Sequence, residues 1–184
     1  MKHSYTLFLN FVSFVRNPNY PDYLTITDKK KLIDVGLYIA VFAFIASELS
    51  WYLVKFAEKL KWYNPLIEID NGQRVLILVV SAVAIAPFIE EAMFRFPLGL
   101  VRGKSCFKWV YYLSAVLFGW AHIFTYAFDS SHYFFVPLIT LPQTFAGFIL
   151  GYVRMIYGFW YGVLLHAVYN ALCLFWIYII DFNL

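Results

Sequence analysis

The chain has 184 residues, of which 62% are hydrophobic and only 14% are charged. Soluble domains contain roughly 45–50% apolar and about 25% charged residues, and a domain this small cannot bury so large an apolar surface. The net charge of +3, on so few charged residues, does not indicate binding to nucleic acid. Composition therefore excludes a soluble fold and a disordered chain, and it predicts an integral membrane protein.

Residues 1–32 are predicted to form an N-terminal amphipathic helix, lying in the membrane surface, and a following turn. Apolar side chains cover most of that helix, and its polar side chains recur on one stripe, formed by Thr6, Asn10, Ser13 and Asn17. A secretory signal peptide is the rival interpretation, but no small-residue cleavage site follows the apolar run. The residues Asn-Pro-Asn-Tyr-Pro at 17–21 predict the turn.

Five apolar segments follow in residues 33–184, the predicted transmembrane domain. Each is long enough to cross the hydrocarbon layer as a helix, and none shows the alternation typical of a barrel strand. The predicted spans are Ile33–Val54, Val75–Pro97, Trp109–Phe128, Tyr133–Val153 and Met155–Ile180. The sequence therefore predicts an all-α membrane protein, a bundle of about five transmembrane helices with an interfacial helix at its N-terminus.

Two patterns concern how these spans are arranged. Outside the spans, nine lysine and arginine residues fall on the N-terminal side of the membrane and four on the other, which predicts a cytoplasmic N-terminus. The G-x-x-x-G pairs Gly147/Gly151 and Gly158/Gly162 are predicted to be packing surfaces, because small residues let membrane helices approach closely.

Several polar side chains lie inside the predicted spans, where they are costly and usually functional. They are Glu90, Glu91 and Arg95 in the second span, His122 in the third, and His166 and Asn170 in the fifth. Counted from the cytoplasmic end of each span, Glu90, His122 and His166 lie roughly 10–20 Å deep at the helical rise. We therefore expect three helices to bring an acid and two imidazoles to one layer.

The spacing along each helix predicts which of these groups pair. Glu91 and Arg95 are four residues apart and share a helix face, so an ion pair is expected. Glu90 points about 100° away from Glu91 and has no obvious local partner. Pro87 removes a backbone hydrogen bond one turn before Glu90 and is expected to open the helix there.

Four other ionisable residues are assigned no role in the site. Glu48 and Asp34 belong to the first span and are expected to reach the headgroups. His3 and His132 fall in predicted loops and are expected to be solvated.

This set of residues is suited to hydrolysis of an amide bond. Glu90 can act as the base that activates a water, His122 can orient that water, and His166 and Asn170 can donate hydrogen bonds to the oxyanion. A zinc site built from Glu90, His122 and His166 is the alternative, although no H-E-x-x-H motif occurs. No G-x-S-x-G motif is present either.

Three motifs, in order and each within a predicted span, resemble those of the CPBP intramembrane proteases. This family includes the CAAX prenyl endopeptidases and the bacterial Abi proteins. Glu90-Glu91-Ala-Met-Phe-Arg95 is similar to its E-E-x-x-x-R motif, Phe118-Gly-Trp-Ala-His122 to F-x-x-x-H, and His166-Ala-Val-Tyr-Asn170 to H-x-x-x-N. The resemblance covers roughly residues 75–175.

The resemblance implies a glutamate-dependent intramembrane endopeptidase without an obligatory metal or other cofactor. Glu90 and His122 would activate the water, His166 and Asn170 would form the oxyanion site, and the supporting residues would be Glu91, Arg95 and Phe118. The substrate would be a membrane-associated peptide or protein within the lipid bilayer.

Fewer spans are predicted here than the eukaryotic CAAX enzymes have. This favours a compact prokaryotic member in the cell membrane, with a substrate other than a prenylated CAAX protein. A zinc-dependent intramembrane protease is one alternative, and a non-catalytic membrane scaffold or bacteriocin self-immunity protein is another.

Overall fold

A computed structural model describes residues 2–19, 26–68 and 74–182, with side chains described as far as Trp176. The N-terminal helix α1 spans Lys2–Arg16. Leu7 and Phe14 on this helix are buried, and the Phe14 ring packs edge-on against the rings of Tyr111 and Tyr152. The predicted helix is therefore present and packs on the bundle. Its interfacial position and the domain boundary at residue 32 stay predictions, and the turn predicted at 17–21 lies partly outside the described residues.

Two long helical rods contain π-helical segments, in which the backbone hydrogen bond reaches five residues back instead of four. The first rod consists of α2 (Asp28–Ile33), a π segment (Asp34–Ile39) and α3 (Ala40–Lys59). The second consists of α4 (Val75–Val80), a π segment (Ser81–Ile85), α5 (Ala86–Glu90), a π segment (Glu91–Arg95) and α6 (Phe96–Leu100).

The remaining helices are shorter, except for the last. They are α7 (Phe107–Ala121), a 3-10 turn (His122–Thr125), a second 3-10 turn (Tyr133–Phe135), α8 (Val136–Ile139), α9 (Leu141–Ile156) and α10 (Phe159–Phe182). Gly158, with φ of +109°, forms the break between α9 and α10. The strands β1 (Ile67–Glu68) and β2 (Tyr126–Ala127) pair antiparallel, with Ile67 opposite Ala127.

The predicted all-α membrane protein is confirmed, but the number of spans differs. Among the described residues, three helices are long and apolar enough to cross a membrane: Asp28–Lys59, Val75–Leu100 and Phe159–Trp176. A fourth results if Tyr133–Ile139 and Leu141–Ile156, bent by 47°, form one span. The third predicted span, Trp109–Phe128, is an α-helix only from Phe107 to Ala121. The Thr125 hydroxyl then donates a hydrogen bond of 2.7 Å to the His122 carbonyl, and the chain turns into β2.

Glycines bring α7 and α9 into close contact. A Cβ at Gly147 would lie 2.9 Å from the Ala115 carbonyl oxygen, and one at Gly151 would lie 2.8 Å from the Tyr111 ring. Gly147/Gly151 is therefore the packing surface that the sequence predicts. Gly158 of the second pair differs, because a Cβ there would have no atom of the described chain within 4 Å, and this glycine serves as a turn residue instead.

The expectation that Asp34 reaches the headgroups is wrong, because Asp34 is buried, with 1% of its surface exposed. Its Oδ1 accepts a hydrogen bond from His3 Nε2 at 2.7 Å, and its Oδ2 accepts one from the Tyr157 hydroxyl at 3.4 Å. These bonds connect α1, the first rod and the break between α9 and α10. The expectation that His3 lies in a loop is also wrong, because His3 belongs to α1. Its side chain is 42% exposed and bonds to Asp34.

Candidate active site

The second rod positions both glutamates through its prolines and π segments. The Ala86 N–H bonds to the Ser81 carbonyl, five residues back. Continuation of this pattern would pair the next donor with Ala82, but that residue is Pro87, which has no N–H. The free Ala82 carbonyl instead accepts a hydrogen bond of 2.7 Å from Asn170 Nδ2 on α10. Pro87 therefore opens the helix as predicted, and a side chain of α10 fills the gap in the hydrogen-bond pattern.

Glu91 connects three elements of the site. Glu91 and Arg95 are both fully buried, and Glu91 Oε1 lies 3.7 Å from Arg95 Nε, so the predicted ion pair is present. The same oxygen accepts a hydrogen bond from His166 Nδ1 at 3.2 Å. Nε2 of His166 lies 3.6 Å from Glu90 Oε2. The result is a chain of charged and polar groups that runs from Arg95 through Glu91 and His166 to Glu90.

Phe118 is the aromatic centre around which the basic groups pack. The Arg95 guanidinium carbon lies 3.8 Å from the centre of its ring, close enough for a cation–π interaction. The rings of His122 and His166 contact it edge-on, with centroid distances of 4.7 and 5.6 Å. One side chain of α7 thus brings His122 into the same cluster as the residues of the second rod and α10.

The hydrogen bond made by His122 defines which of its nitrogens is available. Nδ1 lies 2.8 Å from the carbonyl oxygen of Phe118, and a carbonyl only accepts, so Nδ1 carries the proton. This leaves Nε2 with a lone pair that can accept a hydrogen bond from water.

Several buried polar atoms of this cluster lack a hydrogen-bond partner within the part of the chain that the structure describes. They are Glu90 Oε2, Glu91 Oε2 and the three guanidinium nitrogens of Arg95. Buried polar groups without partners are costly, and native proteins tolerate few of them. Their concentration around two carboxylates and two imidazoles is typical of a functional site.

The structure brings most of the predicted site residues together. Glu90, Glu91, Arg95 and His166 form the charged chain, and His122 joins them through Phe118. Asn170 is one turn beyond His166, but one of its two amide hydrogens is engaged by Ala82. Its predicted role as an oxyanion donor therefore depends on the other hydrogen.

No group of three or more His, Cys, Asp or Glu side chains is arranged to hold a metal ion in residues 2–19, 26–68 and 74–182. The alternative zinc set of Glu90, His122 and His166 is therefore not assembled as a metal site in the described structure. The zinc-dependent alternative stays a prediction.

A second buried histidine lies outside this cluster. His132 is 1% exposed, so the expectation that it is solvated is wrong. Its Nδ1 accepts a hydrogen bond from the Asp129 N–H at 3.1 Å, and its Nε2 donates one to the Asn64 carbonyl at 3.0 Å. The Asn64 side chain donates to the exposed Asp129 carboxylate at 2.7 Å, which, together with bonds from Ser131, lowers the pKa of Asp129 to about 2. These residues join the loop after α3 to the loop after β2.

Comparison with known families gives a match that spans the residues of the candidate site. The family model described as type II CAAX prenyl endopeptidase Rce1-like matches residues 72–172, more than half of the chain. Neither a curated protein nor a solved structure matches. The matched region contains all three motifs, and the predicted resemblance to the CAAX proteases is confirmed. This integral membrane protein therefore belongs to the Rce1-like type II CAAX prenyl endopeptidase family, a family of proteases.

Proposed function

We propose that the protein is an intramembrane endopeptidase that hydrolyses a peptide bond of a membrane-associated peptide or protein. The observation that carries this proposal is the position of His166, held by Glu91 on one nitrogen and facing Glu90 with the other. Together with the protease family, this constellation supports general acid–base chemistry. A prokaryotic cell membrane and a cytoplasmic N-terminus are part of the proposal.

Glu90 is the proposed base. Its carboxylate takes a proton from a water molecule whose oxygen attacks the scissile carbonyl carbon, and His122 Nε2 orients that water. The negative charge that develops on the carbonyl oxygen is stabilised by two donors from α10. One is the free amide hydrogen of Asn170, and the other is the Nε2–H of His166 in its doubly protonated form, which still donates its Nδ1–H to Glu91. Glu90 then transfers the proton to the leaving amine as the C–N bond breaks, so that Glu90 returns to its starting state.

Arg95 and Phe118 support the site without touching the substrate. The guanidinium neutralises the buried Glu91 carboxylate, and the Phe118 ring packs against the guanidinium and both imidazoles. Glu91 fixes the orientation of His166, as a carboxylate does for histidine in many active sites. The proposal thus gives a role to every specified residue of the three motifs, leaving out only their x positions.

The test compares protein termini, by mass spectrometry, in host membranes carrying wild type, Glu90→Gln or Glu48→Gln. Glu48 is the matched control, because it is an acid within the first rod that belongs to no part of the cluster. We expect new termini with wild type and Glu48→Gln and none with Glu90→Gln, followed by cleavage of the identified protein in vitro. Cleavage retained by Glu90→Gln contradicts Glu90 as the base.

Two alternatives have their own readouts in the same system. Loss of cleavage on treatment with a chelator, restored by zinc and accompanied by bound zinc in protein purified without a histidine tag, would establish the metal-dependent protease. Rescue of a deletion phenotype by a Glu90→Ala, His122→Ala variant, with no change in termini, would instead establish a scaffold or self-immunity role.

A further inference from the structure

Gly162 lies directly against the Glu91 carboxylate, one turn before His166 in α10. A Cβ at Gly162 would lie 3.0 Å from Glu91 Oε2. This oxygen is buried and has no hydrogen-bond partner among the described residues, while Oε1 accepts the bond from His166 Nδ1. The same face of α10 therefore supplies both the imidazole that Glu91 holds and the space that Glu91 occupies.

We infer that Gly162 is a positioning residue, which admits the Glu91 carboxylate between α10 and Arg95 so that Glu91 can hold His166 towards Glu90. The role of this geometry in catalysis rests on the proposed function. The sequence indicates a different role for Gly162, a helix-packing contact paired with Gly158, because periodicity alone does not reveal which side chain a glycine faces.

The atom that Gly162 faces distinguishes it from the packing glycines. A Cβ at Gly119 or Gly147 would meet the backbone of the neighbouring helix as well as any side chain, so the helices would have to separate. A Cβ at Gly162 would meet the far end of one side chain. An alanine there moves the carboxylate by a few tenths of an ångström, and alanine is otherwise favoured over glycine within a helix. The fold should therefore persist while the Glu91–His166 hydrogen bond is disturbed.

The experiment uses the full chain in lipid nanodiscs, with Gly162→Ala as the test and Gly36→Ala as the control. Gly36 also lies in a helical segment, but a Cβ there would have no atom of the described residues within 4 Å. NMR of protein labelled with ¹⁵N in histidine reports the Nδ1 proton of His166, which is assigned with a His166→Gln variant. We expect Gly162→Ala to shift or broaden this signal and Gly36→Ala to leave it unchanged.

Kinetics on the identified substrate give the second readout. We expect Gly162→Ala to lower kcat by about tenfold or more, with a smaller change in KM, because the carboxylate acts on groups that stabilise the transition state. In a Glu91→Ala background, Gly162→Ala should cause no further change in the His166 signal or in kcat. A wild-type signal and kcat in Gly162→Ala, or an equal additional loss in the Glu91→Ala background, overturns the inference.

The two readouts separate this inference from the proposed function. If no peptide is cleaved by wild type, the proposed function fails, but the NMR comparison still decides whether Gly162 positions Glu91 against His166. If cleavage requires Glu90 but the His166 signal is the same in wild type and in Gly162→Ala, the positioning role of Gly162 is wrong while the proposed peptidase activity is supported.

Discussion

His166 and His132 are both buried, and both have carboxylate-bearing residues close by, yet their surroundings differ. Both ring nitrogens of His132 are used by a backbone N–H and a backbone carbonyl, which accounts for its full hydrogen-bonding capacity. Around His166, Glu90 Oε2 and Glu91 Oε2 have no hydrogen-bond partner in the described part of the chain. The fold pairs both ring nitrogens of His132, whereas it leaves carboxylate oxygens near His166 unpaired, and these oxygens are available to a reactant.

This difference, and not the degree of burial, distinguishes the structural His132 from His166, for which we propose a catalytic role. The two histidines are buried to nearly the same extent, with 1% of His132 and 2% of His166 exposed. What distinguishes them is the number of polar atoms nearby that the fold leaves unpaired, because unpaired polar atoms cost stability and persist where function requires them.

The largest expected effect contrasts alanine substitutions of these two histidines. His166→Ala removes the group that faces Glu90, and cleavage should fall by about 10²- to 10⁴-fold. His132→Ala leaves the Asn64 carbonyl and the Asp129 N–H without their partner, which should lower the free energy of unfolding by about 1–3 kcal/mol while kcat is unchanged. Single-turnover kinetics and thermal unfolding in the same detergent measure both quantities. Equal loss of kcat in a folded His132→Ala protein would refute the distinction.

A second prediction concerns the charge that the site buries. Arg95→Met leaves the Glu91 carboxylate buried without its ion-pair partner, which should destabilise the fold by about 3–5 kcal/mol. The control is Lys55→Met, because Lys55 pairs with Glu58 at 3.0 Å on the surface and such pairs contribute at most about 1 kcal/mol.

Chemical denaturation of wild type and the two variants measures these differences. Adding Glu91→Gln to Arg95→Met should recover part of the lost stability, since the double variant no longer buries an isolated charge. If Arg95→Met and Lys55→Met lowered the free energy of unfolding equally, the structure's burial of the Glu91–Arg95 pair away from water would be contradicted.

A third prediction tests whether Asn170 has a structural role, a catalytic role or both. Asn170→Leu leaves the Ala82 carbonyl without a donor and should cost about 1–3 kcal/mol of stability. Pro87→Ala provides an N–H five residues after Ala82, so the double variant should recover much of this loss. Recovery of stability without recovery of kcat, measured on the same preparations, would assign the second amide hydrogen to catalysis. Recovery of both would limit Asn170 to supporting the opened helix.

The sequence predicts the cluster well because its signals are local. Glu91 and Arg95 are one turn apart on the same helix, and a charged pair in an apolar segment has few other partners. The residues of each motif likewise lie within six positions of one another along the chain, so their order and spacing are visible without the fold. The apolar lengths predict the long rods for the same reason.

The features that the sequence does not predict depend on contacts between distant segments. Asp34 is buried because His3 and Tyr157 reach it from two other elements, and Asn170 meets Ala82 across 88 residues. The helix α7 ends earlier than predicted because the chain then forms a 3-10 turn and the strand β2, which pairs with β1. Hydropathy does not detect either feature. Gly162 belongs to this class as well, because its partner is a side chain on another helix.

The smallest expected effect concerns Asp129, the neighbour of His132, and its contribution to the pH dependence of stability. Hydrogen bonds from the Asn64 side chain and from Ser131, with His132 nearby, lower the pKa of Asp129 from its usual 3.8 to about 2. A carboxyl with a lowered pKa stabilises the folded protein above its unfolded pKa, and that contribution is lost as pH falls through the folded value. The melting temperature of wild type should therefore decline as pH falls from about 4 to about 2.

Asn64→Ala removes the largest cause of this shift, so the variant should start with a slightly lower melting temperature and lose less of it over the same pH range. The Asn64 carbonyl that His132 bonds remains in the variant, and the difference therefore reports on the Asp129 carboxylate alone. The effect should be small because Asp129 is solvent-exposed, and cleavage at neutral pH should not change. Parallel pH dependences in wild type and Asn64→Ala would mean that the Asn64 side chain does not hold the carboxylate in solution. The contact between the loop after α3 and the loop after β2 would then depend on His132 itself.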